Sequence, residues 1–395
     1  MVTTQKKNAV LKTLATLIHS KQKEIIKANQ KDLAAYQGDD ESMLDRLKAD
    51  EEKVKGMILA IEQAIALQDP EGEIIYTYDH DNGMRVENRT VPFGNILIIY
   101  ESRPDVTIEA AITAFKAGNK ILLKGGKEAR TTNLVLTDLW QQALTAHGLN
   151  KNFVTYLDLN REATQVLIKT NSHQVDLIIP RGGEGLINFV KQNTDIPVII
   201  SGRGNNFLFI DKSSDFEMAV NIILDGKSRI SVCNALDKVL IHQGLPDLEA
   251  KIETLVALLS ANKIEVVGTT SMADRFEINA FEDPNIYYEE FLAKKILVGL
   301  VPNMQEAISM INTYSGKHSA VIISTNDQKA ERFLNEVDCA AVYHNASTRF
   351  TDGGQVGFGA EMAISTQKVH FRGPIGIGQL VTNKWFIFGN GQIRS

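Results

Sequence analysis

The sequence predicts an α/β protein of two domains, each built on a parallel sheet, with a small antiparallel β arm. Three observations carry this. The runs "NILIIY", "KILLK" and "VDLIIP" are almost wholly apolar, and each leads through a turn into an amphipathic helical segment. Strands buried on both faces and separated by helices call for right-handed βαβ crossovers and a parallel sheet. The same rhythm returns after residue 233 in "KVLIH", "KIEVVG", "KILVGLV", "SAVIIST" and "CAAVYHNAS", with the helical segments "MQEAISMINTY" and "DQKAERFLNEV" among them. By contrast, "EIIYTYDHDNGMRVENRTV" alternates apolar and polar residues, as a half-exposed hairpin does.

In chain order, residues 1 to about 68 read as helices. Leu11, Leu14, Ala15 and Ile18 share one face, and Ile58, Ile61 and Ile65 repeat a spacing near 3.6. The hairpin follows, over about 73–91. Its Asn82-Gly83 pair predicts a type I′ turn with two residues at positive φ, and so long and polar a ribbon suits an arm between subunits. Three strand–helix units then run through "VTIEAAITAFKAG", "ARTTNLVLTDLWQQALTAHG" and "EGLINFVKQN". The expected domains are 1–230, 231–365, and 366–395 as a return to the first domain ending in a C-terminal strand.

A net charge of −6 without long blocks of one sign argues against nucleic acid or an anionic membrane as the main partner. No run approaches the roughly 18 apolar residues of a membrane span. Two cysteines, Cys233 and Cys339, are too few for a disulfide framework and fit a reducing compartment. The amino-terminal stretch is helical in spacing and interrupted by lysines, unlike a secretory signal, so a cytoplasmic enzyme is expected.

Four stretches carry candidate chemistry. In "SRISVCNALDKVL", Cys233 stands between a basic, polar lead-in and a buried strand, at the junction of the two α/β series. It is either a small buried hydrophobe or a nucleophile that Lys227 and Arg229 help to hold as thiolate. "LLKGGKEA" ends a strand with Lys124, two glycines and Lys127; "IIPRGGEGLI" repeats the device with Arg181, Gly182 and Gly183. Each is an ordinary turn or an anion site at a helix N-terminus; neither matches the standard nucleotide fingerprints. "NASTRFTDGGQVGFGAE" surrounds Arg349 with small polar side chains and glycines, as a turn-rich surface loop or a cradle for an anionic substrate would. His318, His344 and His370 lack metal-ligand spacing, so no metal is expected.

Together, "YESRPDVTIEAA", "GNKILLKGGKEA", "VDLIIPRGGEGLI", "SVCNALDKVLI" and the block from Asn335 to Ile377 resemble the gamma-glutamyl phosphate reductase family of the aldehyde dehydrogenase superfamily, over nearly the whole chain. The resemblance implies an aldehyde dehydrogenase-like fold of two Rossmann-like domains, cofactor-binding then catalytic, plus an oligomerisation arm. It implies NADPH-dependent reduction of L-glutamyl 5-phosphate to L-glutamate 5-semialdehyde, the second step of proline biosynthesis from glutamate. Cys233 would be the nucleophile. Lys124 and Lys127 would meet the cofactor's ribose and 2′-phosphate, with Arg181, Gly182 and Gly183 at the pyrophosphate and Glu290 at the nicotinamide ribose. Arg103, Asn345, Ser347, Thr348 and Arg349 would line the substrate site. Glutamate 5-kinase is the implied partner, and a homodimer or larger homo-oligomer the implied assembly.

The chain departs from the family pattern in four places: Asp105 for the asparagine of "RPN", Asn206-Phe207 for the Cys-His of "GNCH", and Ile230 for a proline. An ionised Asp105 cannot donate a hydrogen bond to an oxyanion. Hydrolytic relatives carry a glutamate that activates deacylating water, whereas the matching "PVIISGRGNNF" has no acidic residue. That weighs against the main rival, a hydrolytic NAD-dependent aldehyde dehydrogenase. A catalytically silent dinucleotide-binding scaffold is the other rival, and the joint presence of Cys233, Arg349 and Lys124 argues against it.

Overall fold

The computed structural model describes residues 2–394. Four helices open the chain, Thr4–Ser20, Gln22–Ala35, Glu41–Leu47 and Glu51–Ala66. The first buries the expected face, Leu11, Leu14 and Ile18, together with Val10. The fourth buries Val54, Met57, Ile61 and Ala64, so its apolar stripe is centred to one side of the predicted Ile58–Ile61–Ile65 row. Ile58 and Ile65 flank that stripe, partly buried. Three residues at helical spacing fix the period but not the centre of the face.

The hairpin pairs β1 (Ile74–Asp79) with β2 (Arg85–Pro92), with Thr77 opposite Glu87 and Asp79 opposite Arg85. Its turn differs from the prediction. His80 N–H donates to Met84 O and Gly83 N–H to His80 O, both at 2.8 Å, leaving a three-residue loop of 81–83. Such a loop needs one left-handed residue at its end, and Gly83 alone supplies it, at φ +82°.

Four parallel strands follow: β3 (Asn95–Tyr100), β4 (Lys120–Lys124), β5 (Val154–Tyr156) and β6 (Leu177–Arg181). Their order is β5-β4-β3-β6. The chain therefore builds outward from β3 to β5 and then lays β6 on the other side of β3. That reversal makes a switch point at the carboxyl ends of β3 and β6, where open α/β sheets bind ligands.

A second sheet holds seven parallel strands: β7 (Asn206–Ile210), β8 (Leu236–His242), β9 (Glu265–Gly268), β10 (Asn279–Ala280), β11 (Lys295–Val301), β12 (Ser319–Ile323) and β13 (Ala341–His344), in the order β10-β9-β11-β8-β7-β12-β13. β14 (Ala363–Ser365) and β15 (Gly373–Ile375) form a short ribbon. The chain divides into two compact units, one of Met1–Ile200, Gly357–Ala363 and Pro374–Ser395, the other of Ser201–Val356 and Ile364–Gly373. The first crossing comes well before residue 230. β7 and the helix Phe216–Gly226 lie between, and Leu208, Ile210, Ala219 and Ile223 from them pack into the core of the second sheet.

β16 (Val381–Phe388) returns to the first unit and pairs antiparallel along the whole of β2, from Val381 opposite Pro92 to Phe388 opposite Arg85. The arm is thus three-stranded, with β1 and β16 as its edges. Tyr76 and Trp385 stack edge to face at 5.8 Å, and both are about half exposed, as are Ile75, Ile387 and Phe388. Exposed apolar residues on an open-edged sheet invite pairing with another chain. Sedimentation at working concentration is expected to show a dimer or larger species, and a stable, active monomer would refute this.

Candidate active site

In the first unit, the carboxyl ends of β3, β4 and β6 bring six of the predicted site residues to one sheet edge: Arg103, Lys124, Lys127, Arg181, Gly182 and Gly183. Lys124 is half-buried, and its Nζ donates to Gly125 O at 2.7 Å. Burial lowers its pKa, against the pull of Asp158 and Glu128. Lys127 is exposed at the start of a short 3-10 turn. Glu128 does not cap the helix behind it, Arg130–Ala146: Asp32 accepts from the Thr131 and Thr132 N–H groups at 3.1 and 2.8 Å, and Ser102 Oγ donates to Glu128 Oε2 at 3.3 Å.

The loop after β6 is bound by a residue that sequence reasoning missed, Glu101 just after β3. Gly183 N–H, at the N-terminus of the helix Glu184–Asn193, donates to Glu101 Oε1 at 2.9 Å. A Cβ on Gly182 would stand 2.7 Å from the same oxygen. The amide expected to meet a phosphate thus already binds a carboxylate, which the helix dipole favours. Behind this edge, burial and Asp105 push the Glu109 carboxyl up to about 7, with Arg181 and Arg103 opposing. Asp105 itself lies 3.5 Å from Lys53.

In the second unit, partly exposed Cys233 sits in the loop between the helix Phe216–Gly226 and β8. A Cβ on Gly204 would overlap the Cys233 carbonyl, so only glycine lets these two backbones approach. Next to the thiol, buried Asn234 acts as a clamp. Its Nδ2 donates to Arg349 O and Thr351 O, each at 3.1 Å. Its Oδ1 accepts from Arg349 Nη1, and its backbone oxygen accepts from Thr348 Oγ1 at 2.7 Å. The cysteine loop and the predicted substrate loop are thereby tied together. Within that loop Ser347 Oγ accepts from Arg349 N–H at 3.2 Å, and Asn345, at φ +56°, pairs with the Ser324 backbone through both amide atoms at 3.0 Å. Ser347 and Thr348 are buried, whereas Arg349 is half-exposed.

Lys227 is not placed to support a thiolate. Its Nζ is buried 2.5 Å from Asp237 Oδ1. Asp237 Oδ2 accepts from Phe291 N–H at 2.8 Å, while Lys238 Nζ donates to Glu289 O at 2.7 Å and lies 3.6 Å from the Phe291 ring centre. Glu290, half-buried, is held between these two anchored neighbours. Burial pushes Lys238 down to about 7; Lys227 and Lys295 push the same way, and Asp237 and Glu289 oppose.

The opposite edge of the second sheet is closed. Beyond the carboxyl end of β7, Asp211 binds Lys329 Nζ through both oxygens at 2.9 Å and accepts from Ser213 and Ser324. Cys339 lies in a bend before β13, not inside the expected strand, because pairing begins only at Ala341. Its thiol is buried and pushed up to about 11 by that burial, with Ser315 Oγ 3.6 Å away. His318 Nδ1 meets Ser319 Oγ at 2.7 Å, and His344 Nε2 meets Ser324 O at 2.8 Å. Among the described residues, no group of three His, Cys, Asp or Glu side chains could hold a metal ion, and no helix is long and apolar enough to cross a membrane.

The aldehyde dehydrogenase family model matches residues 1–272. Gamma-glutamyl phosphate reductase of Clostridium perfringens is 42% identical over 99% of this chain and 94% of its own length. Its counterpart in Geobacillus thermodenitrificans is 39% identical over 100% and 95%. The crystal structure of gamma-glutamyl phosphate reductase from Thermotoga maritima superposes with a TM-score of 0.91 at 38% identity, covering 100% of this chain and 95% of that one. An acetylating aldehyde dehydrogenase of Geobacillus thermoglucosidasius, 17% identical with a TM-score of 0.73 over 100% of this chain and 93% of that one, shares the fold. By sequence and by fold the chain is therefore an oxidoreductase: it belongs to the gamma-glutamyl phosphate reductase family of aldehyde dehydrogenases.

Proposed function

We propose that this chain reduces L-glutamyl 5-phosphate with NADPH through a thioester on Cys233. One observation carries the reading: Asn234, beside the thiol, binds Arg349 through side chain and backbone alike, so nucleophile and anion-binding cation belong to one rigid piece. Arg349 orients the substrate's carboxylate or phosphate. The Cys233 thiolate attacks the acyl carbon, and the carbon–oxygen bond to phosphate breaks with its electron pair leaving on phosphate. Phosphate is a good leaving group and needs no strong general acid. When bound, the nicotinamide supplies the hydride that reduces the acyl group; the thiohemiacetal on Cys233 then expels thiolate and releases the aldehyde. No carboxylate stands in 197–207 to activate water, which protects the thioester from hydrolysis.

The edge at β3, β4 and β6 suits a dinucleotide, with Lys124 and Lys127 at its ribose and 2′-phosphate, and Arg181, Gly182 and Gly183 at its pyrophosphate. Glu290, held by the anchored segment, would reach the nicotinamide ribose. The substrate contacts would be Arg103, Asn345, Ser347, Thr348 and Arg349. The same reading makes the chain a cytoplasmic homo-oligomer fed by glutamate 5-kinase. The test is NADP⁺ reduction with glutamate semialdehyde and phosphate: phosphate-independent turnover would favour the hydrolytic aldehyde dehydrogenase instead.

Cofactor choice gives a second test. A 2′-phosphate carries nearly two charges at neutral pH and needs a cation. Lys127, exposed at this edge, is the reader, opposed by the neighbouring Glu128 carboxylate, which binds Ser102 instead of capping the following helix. Lys127→Ala is expected to weaken NADPH by about ten- to a hundred-fold, roughly 1.5–3 kcal/mol for one charge-assisted hydrogen bond, and NADH far less. Lys124→Ala should weaken both, and equal losses for both cofactors in Lys127→Ala would remove that lysine from phosphate recognition.

A further inference from the structure

Asn205 and Asn206 stand at the start of β7, both fully buried. Adjacent residues on an extended chain point to opposite faces, so the two amides serve different neighbours. Asn206 Nδ2 lies 2.8 Å from Cys233 O, 2.7 Å from Ala235 O and 3.0 Å from Gly204 O. Asn205 Nδ2 lies 2.7 Å from Tyr287 O and 2.8 Å from Tyr314 O. All five acceptors are carbonyls. An amide turned the other way would set its own oxygen against them, so the chemistry fixes both orientations.

That orientation leaves Asn205 Oδ1 and Asn206 Oδ1 buried without a hydrogen-bond partner. Such groups are uncommon because burying one unsatisfied is unfavourable, and an apolar side chain of similar size would avoid it. The side chains are therefore held for their donors, which, besides Gly204 O and Tyr314 O, point at two segments. One is the loop of Cys233; the other is the segment leading from Tyr287 to Glu290. Arg203 Nη1, two residues earlier, reinforces the second by donating to Tyr288 O at 3.0 Å.

We propose that Asn205 and Asn206 are positioning residues: Asn206 sets the backbone from which the Cys233 thiol projects, and Asn205 sets the segment that presents Glu290. The inference rests on the reading of Cys233 as nucleophile and Glu290 as cofactor contact. It assigns a role to position 206, where this chain departs from its family pattern. Loss of the Asn206 donors lets the thiol wander by a fraction of an ångström to an ångström, and displacement of that size costs on the order of a hundred-fold in rate.

The test pairs two variants with two readouts. Asn206→Ala should lower kcat by about a hundred-fold and change the rate at which iodoacetamide alkylates Cys233, followed at that peptide by mass spectrometry, with buried Cys339 staying unlabelled as the sign that the fold is intact. Its NADPH Kd should stay within about two-fold, while Asn205→Ala should raise NADPH Kd by about ten-fold and leave Cys233 alkylation unchanged. Asn206→Ser, which retains one donor, should recover part of the rate. Wild-type kcat and alkylation in Asn206→Ala, or the same changes in both alanine variants, would overturn the proposal. Failure of both Asn206 variants to fold would also overturn it, since the amide would then be a folding determinant. The underlying reading fails separately, if Cys233→Ser remains active.

Discussion

Cys233→Ser is expected to abolish turnover, lowering kcat/KM by more than about 1,000-fold, with cofactor affinity and melting temperature unchanged. A thiol ionises within reach of neutral pH, whereas a serine hydroxyl needs a dedicated base to become a nucleophile. The groups that hold this loop, Asn206 and Asn234, are amides and cannot take the proton. Cys339→Ser should be nearly silent. Its thiol is buried, burial pushes its pKa up to about 11, and a serine there retains a hydroxyl for the Ser315 contact. Steady-state kinetics of the two variants side by side decides the matter, and comparable losses in both would sink the assignment.

What could be read from the sequence was what local pattern determines. Apolar strands such as 96–99 and 121–123 announced themselves because a parallel sheet buries both faces of a strand. β7 escaped, although all five of its residues are buried, because "NFLFI" opens on the second of two adjacent polar asparagines, which leaves an apolar run of only four. The hairpin was legible and its turn was not: Asn-Gly signals a reversal, but the loop length that selects the turn comes from the register of the flanking strands. Lys227 misled in a more general way. It is near Cys233 in sequence, yet it terminates a helix and turns its ammonium to β8. Glu101 and Asn205 were invisible for the converse reason. Glu101 lies 82 residues from Gly183, and Asn205 lies 82 and 109 from its acceptors, so nothing local marks them.

Lys227→Met should destabilise the chain by about 3–5 kcal/mol, since it strands Asp237 as a buried charge with its remaining bond to Phe291 N–H. Both partners are essentially inaccessible, so water cannot replace the lost ammonium. The double variant Lys227→Met with Asp237→Leu removes both charges, and most of the loss should return, because a well-packed apolar pair of similar volume often matches a buried ion pair. Urea denaturation at several pH values reads this and the neighbouring lysine together. Lys238 has a folded value of about 7 against an ordinary 10.5. Between those values the unfolded chain binds more protons than the folded one, so stability should rise with pH above about 7. Lys238→Met should flatten that rise. Lys227 is among the charges that push Lys238 down, and Asp237 pulls it up. Removing Lys227 alone should therefore raise the Lys238 value and shift the rise to higher pH. A wild-type slope in Lys227→Met, whatever its loss of stability, would show that the two lysines do not share Asp237.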